Sequence, residues 1–199
     1  MKKFTITIIA CLLAVCSYSQ EHIKFNGATF GLPLKEFIKG FPAPISEASS
    51  YTLKGYNPNL CNRNCYYIKL NSESWYCNVF SSRKSYTVFR TISVNAFYQD
   101  LENHLMLLVK ALEEKYGGGV KEKQENLGEV SYLGSSHKEM LALYYYVKGR
   151  NNQRIGEIRI SCAPSDKDAK YGYIELSYSD YNAQKLATRE YNSLMRNAL

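Results

Sequence analysis

Cysteines are the residues whose type and spacing most clearly suggest chemistry. Beyond residue 20 the chain contains Cys61, Cys65, Cys77 and Cys162. In an oxidising compartment, four cysteines allow three full pairings. Cys61–Cys65 and Cys65–Cys77 are both candidate local bridges, and the sequence does not choose between them because geometry decides. We expect one structural disulfide, with the remaining thiols buried as small hydrophobic groups.

Other catalytic and metal-binding patterns are missing from the sequence. The C-x3-C spacing lacks the second Cys/His pair of a zinc site and is not the C-x-x-C of a redox site. There is no G-x-S-x-G, no phosphate-binding glycine loop and no H-E-x-x-H. The three histidines, His22, His104 and His137, fall in a terminus, a helix and a loop. We therefore expect no metal and no cofactor, and catalysis is the less favoured interpretation.

The chain is rich in tyrosine, with 18 in 199 residues. Tyr144 and Tyr146 alternate with apolar neighbours, which places both on the same face of a strand. If that face is open, it offers an aromatic surface, and Tyr67 and Tyr173 are further candidates for it. Tyrosine supplies rigid contact area with a polar tip, which suits protein or carbohydrate partners. The alternative is structural, because tyrosine is also a good strand former.

The first twenty residues resemble a secretory leader. Lys2 and Lys3 form a basic start, twelve mostly apolar residues follow from 4 to 15, and a small-x-small pattern precedes Gln20. An apolar run of this length is too short to cross a bilayer as a helix. We expect cleavage near Ser19–Gln20 and export to the periplasm or beyond.

Cys16 gives a less favoured alternative, because Leu13–Cys16 resembles the lipobox of a lipoprotein. The formal charge of +7 falls to +5 when the two leader lysines are removed. That mild excess does not indicate nucleic-acid binding. The mature chain contains no second long apolar run, so we expect no transmembrane segment in it.

Periodicity predicts three helices, over 34–39, over 101–116 and from about 181 to 196. Asp100 and Asp180 are suited to cap the last two. Between them the pattern predicts strands over 23–25, 51–54, 66–70, 74–80, 85–97, 129–133, 140–148, 154–162 and 173–179. In the strand over 85–97, one face carries Tyr86, Val88, Ile92 and Val94, and the other carries Ser85, Thr87, Thr91 and Ser93. We interpret the second set as the polar face of a half-buried strand.

This order predicts an α+β fold. Short turns make consecutive strands antiparallel neighbours, so the simplest arrangement is one large antiparallel sheet or two abutting ones. We expect one domain over residues 20–199, built from two α-ββββ halves (about 20–98 and 99–199), with helices packed on one face and a C-terminal helix. The other face stays partly open.

Several short segments carry a resemblance. They are Phe25-Asn26-Gly27, Phe30–Pro33, Leu112–Gly117 and Ile174–Asn182. Together they resemble small exported proteins of unknown function from Bacteroidetes-type bacteria. The layout is also similar in outline to the β-lactamase-inhibitor-protein-like fold, whose concave sheet meets a protein partner. These resemblances imply no activity, because fold alone does not fix function.

We therefore expect an exported, non-enzymatic module that binds an unknown protein or glycan of the cell envelope or outside, through an aromatic sheet face. A glycan-binding module is one alternative, and a small hydrolase without a recognisable motif is the other. A deep pocket with converging carboxylates would favour the hydrolase.

Overall fold

The computed structural model describes residues 21–51, 53, 56–97, 99–165 and 168–197. The predicted leader over residues 1–19, Cys16 and the predicted cleavage site near Ser19–Gln20 lie outside these residues. Within them the chain forms three α-helices: α1 (Leu34–Lys39), α2 (Leu101–Tyr116) and α3 (Tyr181–Asn197). The strands are β1 (Lys24–Phe25), β2 (Ala28–Thr29), β3 (Ser46–Glu47), β4 (Asn62–Leu70), β5 (Glu73–Ser81), β6 (Val88–Phe97), β7 (Val120–Lys121), β8 (Glu129–Tyr132), β9 (Ser135–Lys138), β10 (Leu141–Lys148), β11 (Arg154–Ser165) and β12 (Asp168–Asp180).

One eight-stranded antiparallel sheet dominates the fold, in the order β3-β4-β5-β6-β12-β11-β10-β7. Strands β1–β2 and β8–β9 form separate hairpins. The helices α1 and α2 and the β1–β2 hairpin bury the main core against one face of the sheet. The C-terminal helix α3 contacts β6, β11 and β12. The predicted α+β architecture with a large antiparallel sheet is therefore confirmed.

The predicted helices agree closely with the structure, because their apolar stripes and stop signals are strong. Phe37 of α1 and Leu101, Leu105 and Leu112 of α2 are buried. Gly117 ends α2 with a φ of 84°, a backbone conformation that glycine adopts without strain. The predicted strand over 51–54 is not formed at its described residues, Tyr51 and Leu53.

The long strand before α2 differs from the prediction because it contains a bulge. Phe80 pairs with Arg90, but Ser81 pairs with Val88, so Phe89 is an extra residue in β6. Side-chain alternation therefore changes phase. Val88 lies in the main core, whereas Ile92 belongs to a second apolar cluster on the opposite face.

The predicted polar face of this strand is also wrong. Thr91 and Ser93 are completely buried on the helix-covered side, across from Tyr178 and Leu176 of β12. Their small side chains fit under the helices.

The two aspartates that precede helices behave differently. Asp180 is completely buried, and its Oδ1 accepts a hydrogen bond from the Ala183 backbone N–H at 2.7 Å, which caps α3 as predicted. The same carboxylate accepts from the Ile23 backbone N–H at 2.8 Å and meets His22 Nδ1 at 3.0 Å. Asp100, by contrast, has a φ of 56° and makes no side-chain cap hydrogen bond. Asp180 therefore ties the start of the described chain to the last helix.

The predicted disulfide is wrong, since all four described cysteines are free thiols. Cys61 immediately precedes the extended strand β4 and Cys65 lies within it, and four residues of extended chain span about 13 Å. A disulfide needs Cα atoms within about 7 Å. Cys65 pairs with Asn78, so Cys77 beside it points to the opposite face. Cys162 is separated from Cys77 by β6 and β12.

Within the described ranges, no helix is long and apolar enough to cross a membrane.

Candidate functional site

A cleft opens on the sheet face that α1 and α2 leave free. Its volume is about 850 Å³. One wall comes from Leu53 and residues 56–61 and the other from the segment over residues 126–139, while strands β5, β6, β10, β11 and β12 form the floor. Ligand pockets in proteins fall in the range of about 300–1,000 Å³. The cleft therefore has the size of a site for a small ligand or for a short segment of a larger one.

The β8–β9 hairpin covers part of this face beside the cleft. Val130 of the hairpin packs with Ala163 and Val94 in the second apolar cluster. The Tyr51 hydroxyl donates to the Ser131 carbonyl at 3.0 Å, which links the loop wall to the hairpin wall. These contacts place the two walls of the cleft relative to its floor.

Arg159 of β11 forms the centre of the floor. Its Nη1 and Nη2 donate to the two carboxylate oxygens of Glu139 at 2.6 and 2.5 Å, and its Nε donates to the Tyr144 hydroxyl at 3.0 Å. Burial alone would raise the pKa of Glu139, but hydrogen bonds from Arg159 and from the Gly128 backbone N–H outweigh it and lower that pKa. Arg159 and Glu139 thus form a closed, charge-balanced pair.

Glu175 of β12 lies next to this pair but outside it. The side chain is 13% exposed, and its nearest cation is Arg159 Nη1 at 4.0 Å, which is beyond hydrogen-bonding distance. No group in the described part of the chain donates a hydrogen bond to it. Burial raises its pKa to about 7, against the opposing effect of Arg159. Glu175 is therefore a carboxyl that lines the cleft and has no partner of its own.

Arg90 of β6 supplies the other unmatched charge. Its Nε donates to the Ser177 hydroxyl at 3.3 Å, and the side chain is exposed in the cleft. Across the described residues, its two terminal nitrogens meet no carboxylate within 4.0 Å. Both can donate to a ligand.

Apolar side chains line the floor and wall beside these charges. They are Leu53, Tyr56, Leu60, Phe80, Phe89 and Ile92. Ile92 pairs across the strands with Ser177 and Val94 pairs with Glu175, so apolar and polar groups alternate between neighbouring strands. The cleft can therefore accommodate a ligand with both an apolar part and charged or polar groups.

The tyrosines of the predicted aromatic surface lie in different surroundings. Tyr144 lines the cleft, but its hydroxyl is engaged by Arg159. Arg154 stacks on the Tyr146 ring at 3.8 Å. Tyr67 is 41% exposed near the far edge of the sheet and packs on Tyr76.

Tyr173 is covered by the β8–β9 hairpin. The His137 ring stacks on it at 4.2 Å, and Tyr132 packs against it at 5.4 Å. The four predicted tyrosines therefore do not form one surface.

The charged residues of the cleft were missed because no motif marks them. Arg159, Glu175 and Glu139 come from two strands and a connecting turn. The available signal was alternation, since Arg159 stands between Ile158 and Ile160, and Glu175 stands between Ile174 and Leu176. A charge at every second position of an otherwise apolar strand marks the face opposite the core.

The described part of the cleft contains no histidine. Cys61 lines it, but burial raises the pKa of this thiol, so the nucleophilic thiolate is disfavoured at neutral pH. Among the described residues, no group of three or more His, Cys, Asp or Glu side chains is placed to hold a metal ion.

No protein-family model, curated protein or solved structure matches the chain. The residues of the cleft are therefore the basis for a functional proposal.

Proposed function

We propose that the protein is an exported, non-enzymatic binding module that receives its ligand in the cleft on the open sheet face. The observation that carries this proposal is the unmatched pair of charges on the floor, Glu175 and Arg90, in a cleft of about 850 Å³. Glu175 is 13% exposed and has no hydrogen-bond donor among the described residues, which is costly for a carboxyl, and a ligand that donates to it would remove that cost. Export rests on the leader-like sequence of residues 1–20.

Binding is favoured over hydrolysis by the state of the converging carboxylates. Glu139 has both oxygens committed to Arg159, so it is not free to act as a base or nucleophile. Glu157 accepts a hydrogen bond from the Tyr181 hydroxyl at 2.7 Å. Of these three described carboxyls, only Glu175 accepts no hydrogen bond, whereas glycoside hydrolysis ordinarily needs two carboxyl groups with separate roles.

A glycan is the second candidate ligand. The rings of Tyr56 and Phe89 line the cleft and could stack on the apolar face of a sugar. A glycan is neutral or anionic, however, so it would leave the Glu175 carboxyl without an opposite charge.

A thermal-shift screen with representative compounds tests the binding proposal. The panel contains amino acids, dipeptides, monosaccharides and oligosaccharides, and ligand binding to the folded state raises Tm. Leu60 is exposed at the wall of the cleft, so Leu60→Trp should narrow the cleft and abolish the shift. Leu107→Trp is the matched control, because Leu107 is 68% exposed on α2, outside the cleft.

Loss of the shift in Leu60→Trp, with retention in Leu107→Trp, would support the cleft as the site. An equal shift in both variants would place binding elsewhere, and turnover of any compound would favour the hydrolase.

A further inference from the structure

Glu175 on β12 and Arg90 on the neighbouring strand β6, which make no hydrogen bond to an opposite charge among the described residues, lie close together on the floor of the cleft. Ser177, which holds Arg90 through its hydroxyl, comes two residues after Glu175 on the same face of β12. Residues two apart on a strand are separated by about 6.6 Å. The Glu175 carboxyl and the Arg90 guanidinium are therefore separated on the floor by about the spacing of two successive side chains on one face of a strand.

This arrangement defines the charge of a complementary ligand. The Arg159–Glu139 pair is already neutral, so it contributes no net charge to the floor, and the Glu157 carboxylate is held by the Tyr181 hydroxyl. A purely cationic ligand would match Glu175 but meet repulsion from Arg90, and a purely anionic ligand would meet the reverse. A ligand that carries both charges satisfies both groups, with charge-assisted hydrogen bonds at each end.

The spacing also limits the length of the ligand. In a dipeptide the two Cα atoms are about 3.8 Å apart, and the terminal N–Cα and Cα–C bonds extend the molecule to about 6 Å. That length is close to the separation along β12. The apolar side chains of Phe89 and Ile92 lie beside Arg90 and Ser177, where they can contact an apolar side chain of the ligand.

We propose that the cleft binds a zwitterionic ligand of short-peptide type, with its ammonium group at Glu175 and its carboxylate at Arg90. This inference rests on the proposed binding function of the cleft and adds the chemical class of the ligand. An apolar dipeptide is the simplest member of that class.

The surroundings of Glu175 add a pH dependence. The charged groups that face it are Arg159 on β11, Glu139 before β10 and Arg90 on β6, and the titratable Tyr51 hydroxyl also lies within its electrostatic reach. Since the pKa of Glu175 is about 7, the carboxylate that receives the ammonium group forms as pH rises through neutrality. Affinity should rise about tenfold from about pH 5.5 to about pH 7, and it should stop rising near pH 8 as the α-amino group loses its proton.

Calorimetric titration of the protein with leucyl-leucine tests the proposal. N-acetylation of the dipeptide should weaken binding about tenfold or more, and so should Glu175→Gln. C-amidation and Arg90→Gln should each have a comparable effect. The decisive test combines each variant with the derivative that lacks the matching charge. Glu175→Gln should barely change the affinity for the N-acetyl dipeptide, because that ligand has no ammonium group. Arg90→Gln should barely change the affinity for the C-amide, because that ligand has no carboxylate.

Glu113→Gln on α2 and Arg154→Gln beside Tyr146 are the matched controls, and both should keep the original affinity. Glu175→Gln should also lose the rise of affinity with pH. Failure of leucyl-leucine to bind, or binding of its N-acetyl or C-amide derivative as tightly as the unmodified dipeptide, would overturn the proposal. If an oligosaccharide binds instead and Leu60→Trp blocks it, the ligand class is wrong but the cleft remains a binding site. If no compound of the panel binds in the cleft, both proposals fail.

Discussion

Glu139 and Arg159 form a two-point ion pair in which both carboxylate oxygens meet the two terminal nitrogens of the guanidinium group. Glu139 is 4% exposed, so the pair is shielded from water. Its two residues belong to different parts of the chain, since Arg159 lies in β11 and Glu139 precedes β10. The pair therefore joins the segment that forms one wall of the cleft to its floor.

Removing one residue of the Arg159–Glu139 pair should destabilise the fold far more than removing both. Arg159→Met leaves the Glu139 carboxylate buried without a cation, and we expect a loss of about 3–5 kcal/mol in the free energy of unfolding. Urea denaturation at neutral pH measures it. The double variant Arg159→Met/Glu139→Leu removes both charges and should regain most of the loss. A single variant within about 1 kcal/mol of the original protein would contradict the buried pair.

Glu175 should make stability depend on pH. Its pKa is raised from 4.5 to about 7 in the folded state, so the stability it contributes is present below about pH 4.5 and is lost as pH rises through 7. We expect Glu175→Gln to be more stable than the original protein at about pH 8, by up to about 3 kcal/mol, and to lack this decline. Chemical denaturation across the pH range measures the difference. The exposed Glu113→Gln is the control, and a parallel decline in Glu175→Gln would exclude Glu175 as its source.

The aspartates before α2 and α3 should respond differently to the same substitution. Asp180→Asn replaces an acceptor oxygen with an amide donor beside buried backbone N–H groups, so we expect a loss of about 2–3 kcal/mol. Asp100→Asn removes no cap hydrogen bond and asparagine tolerates its left-handed backbone, so the change should stay within about 0.5 kcal/mol. Thermal unfolding of the two variants makes the comparison, and equal losses would contradict the different roles of these residues.

The four described cysteines should be present as free thiols. Burial raises the pKa of Cys77 to about 12 and that of Cys162 to about 11, so both should react slowly in the folded protein. After denaturation without a reductant, a thiol-reactive dye should label all four cysteines of the chain beyond residue 20. Cys77→Ala is the control, because it should lower the count by one. A count of two would indicate a disulfide and would contradict the strand geometry.

Local signals determined how much of the fold could be predicted. The helices α1 and α2 begin and end at the predicted residues, because apolar stripes and glycine stops are contained in short segments of sequence. The bulge at Phe89 could not be predicted in this way. It depends on the register between β5 and β6, which alternation within one strand does not contain.

The candidate site was less predictable than the fold. Tyr144 was the only predicted binding residue that lines the cleft. The aromatic composition drew attention to tyrosines, whereas the unmatched groups are Glu175 and Arg90. These residues come together only because β12 inserts beside β6, a pairing between distant parts of the chain.

That insertion has a consequence for how the chain folds. The last strand, β12, lies at the centre of the sheet, where Gly172 pairs with Phe97 and Ser179 with Arg90. The strands of the first half, β3 to β6, thus present an open edge until nearly the whole chain has been synthesised. Contacts between residues so far apart slow folding, because the intervening loop must close first. Shortening the chain before β12 would therefore leave two half-sheets with no ladder between them, each exposing an edge prone to association with other chains.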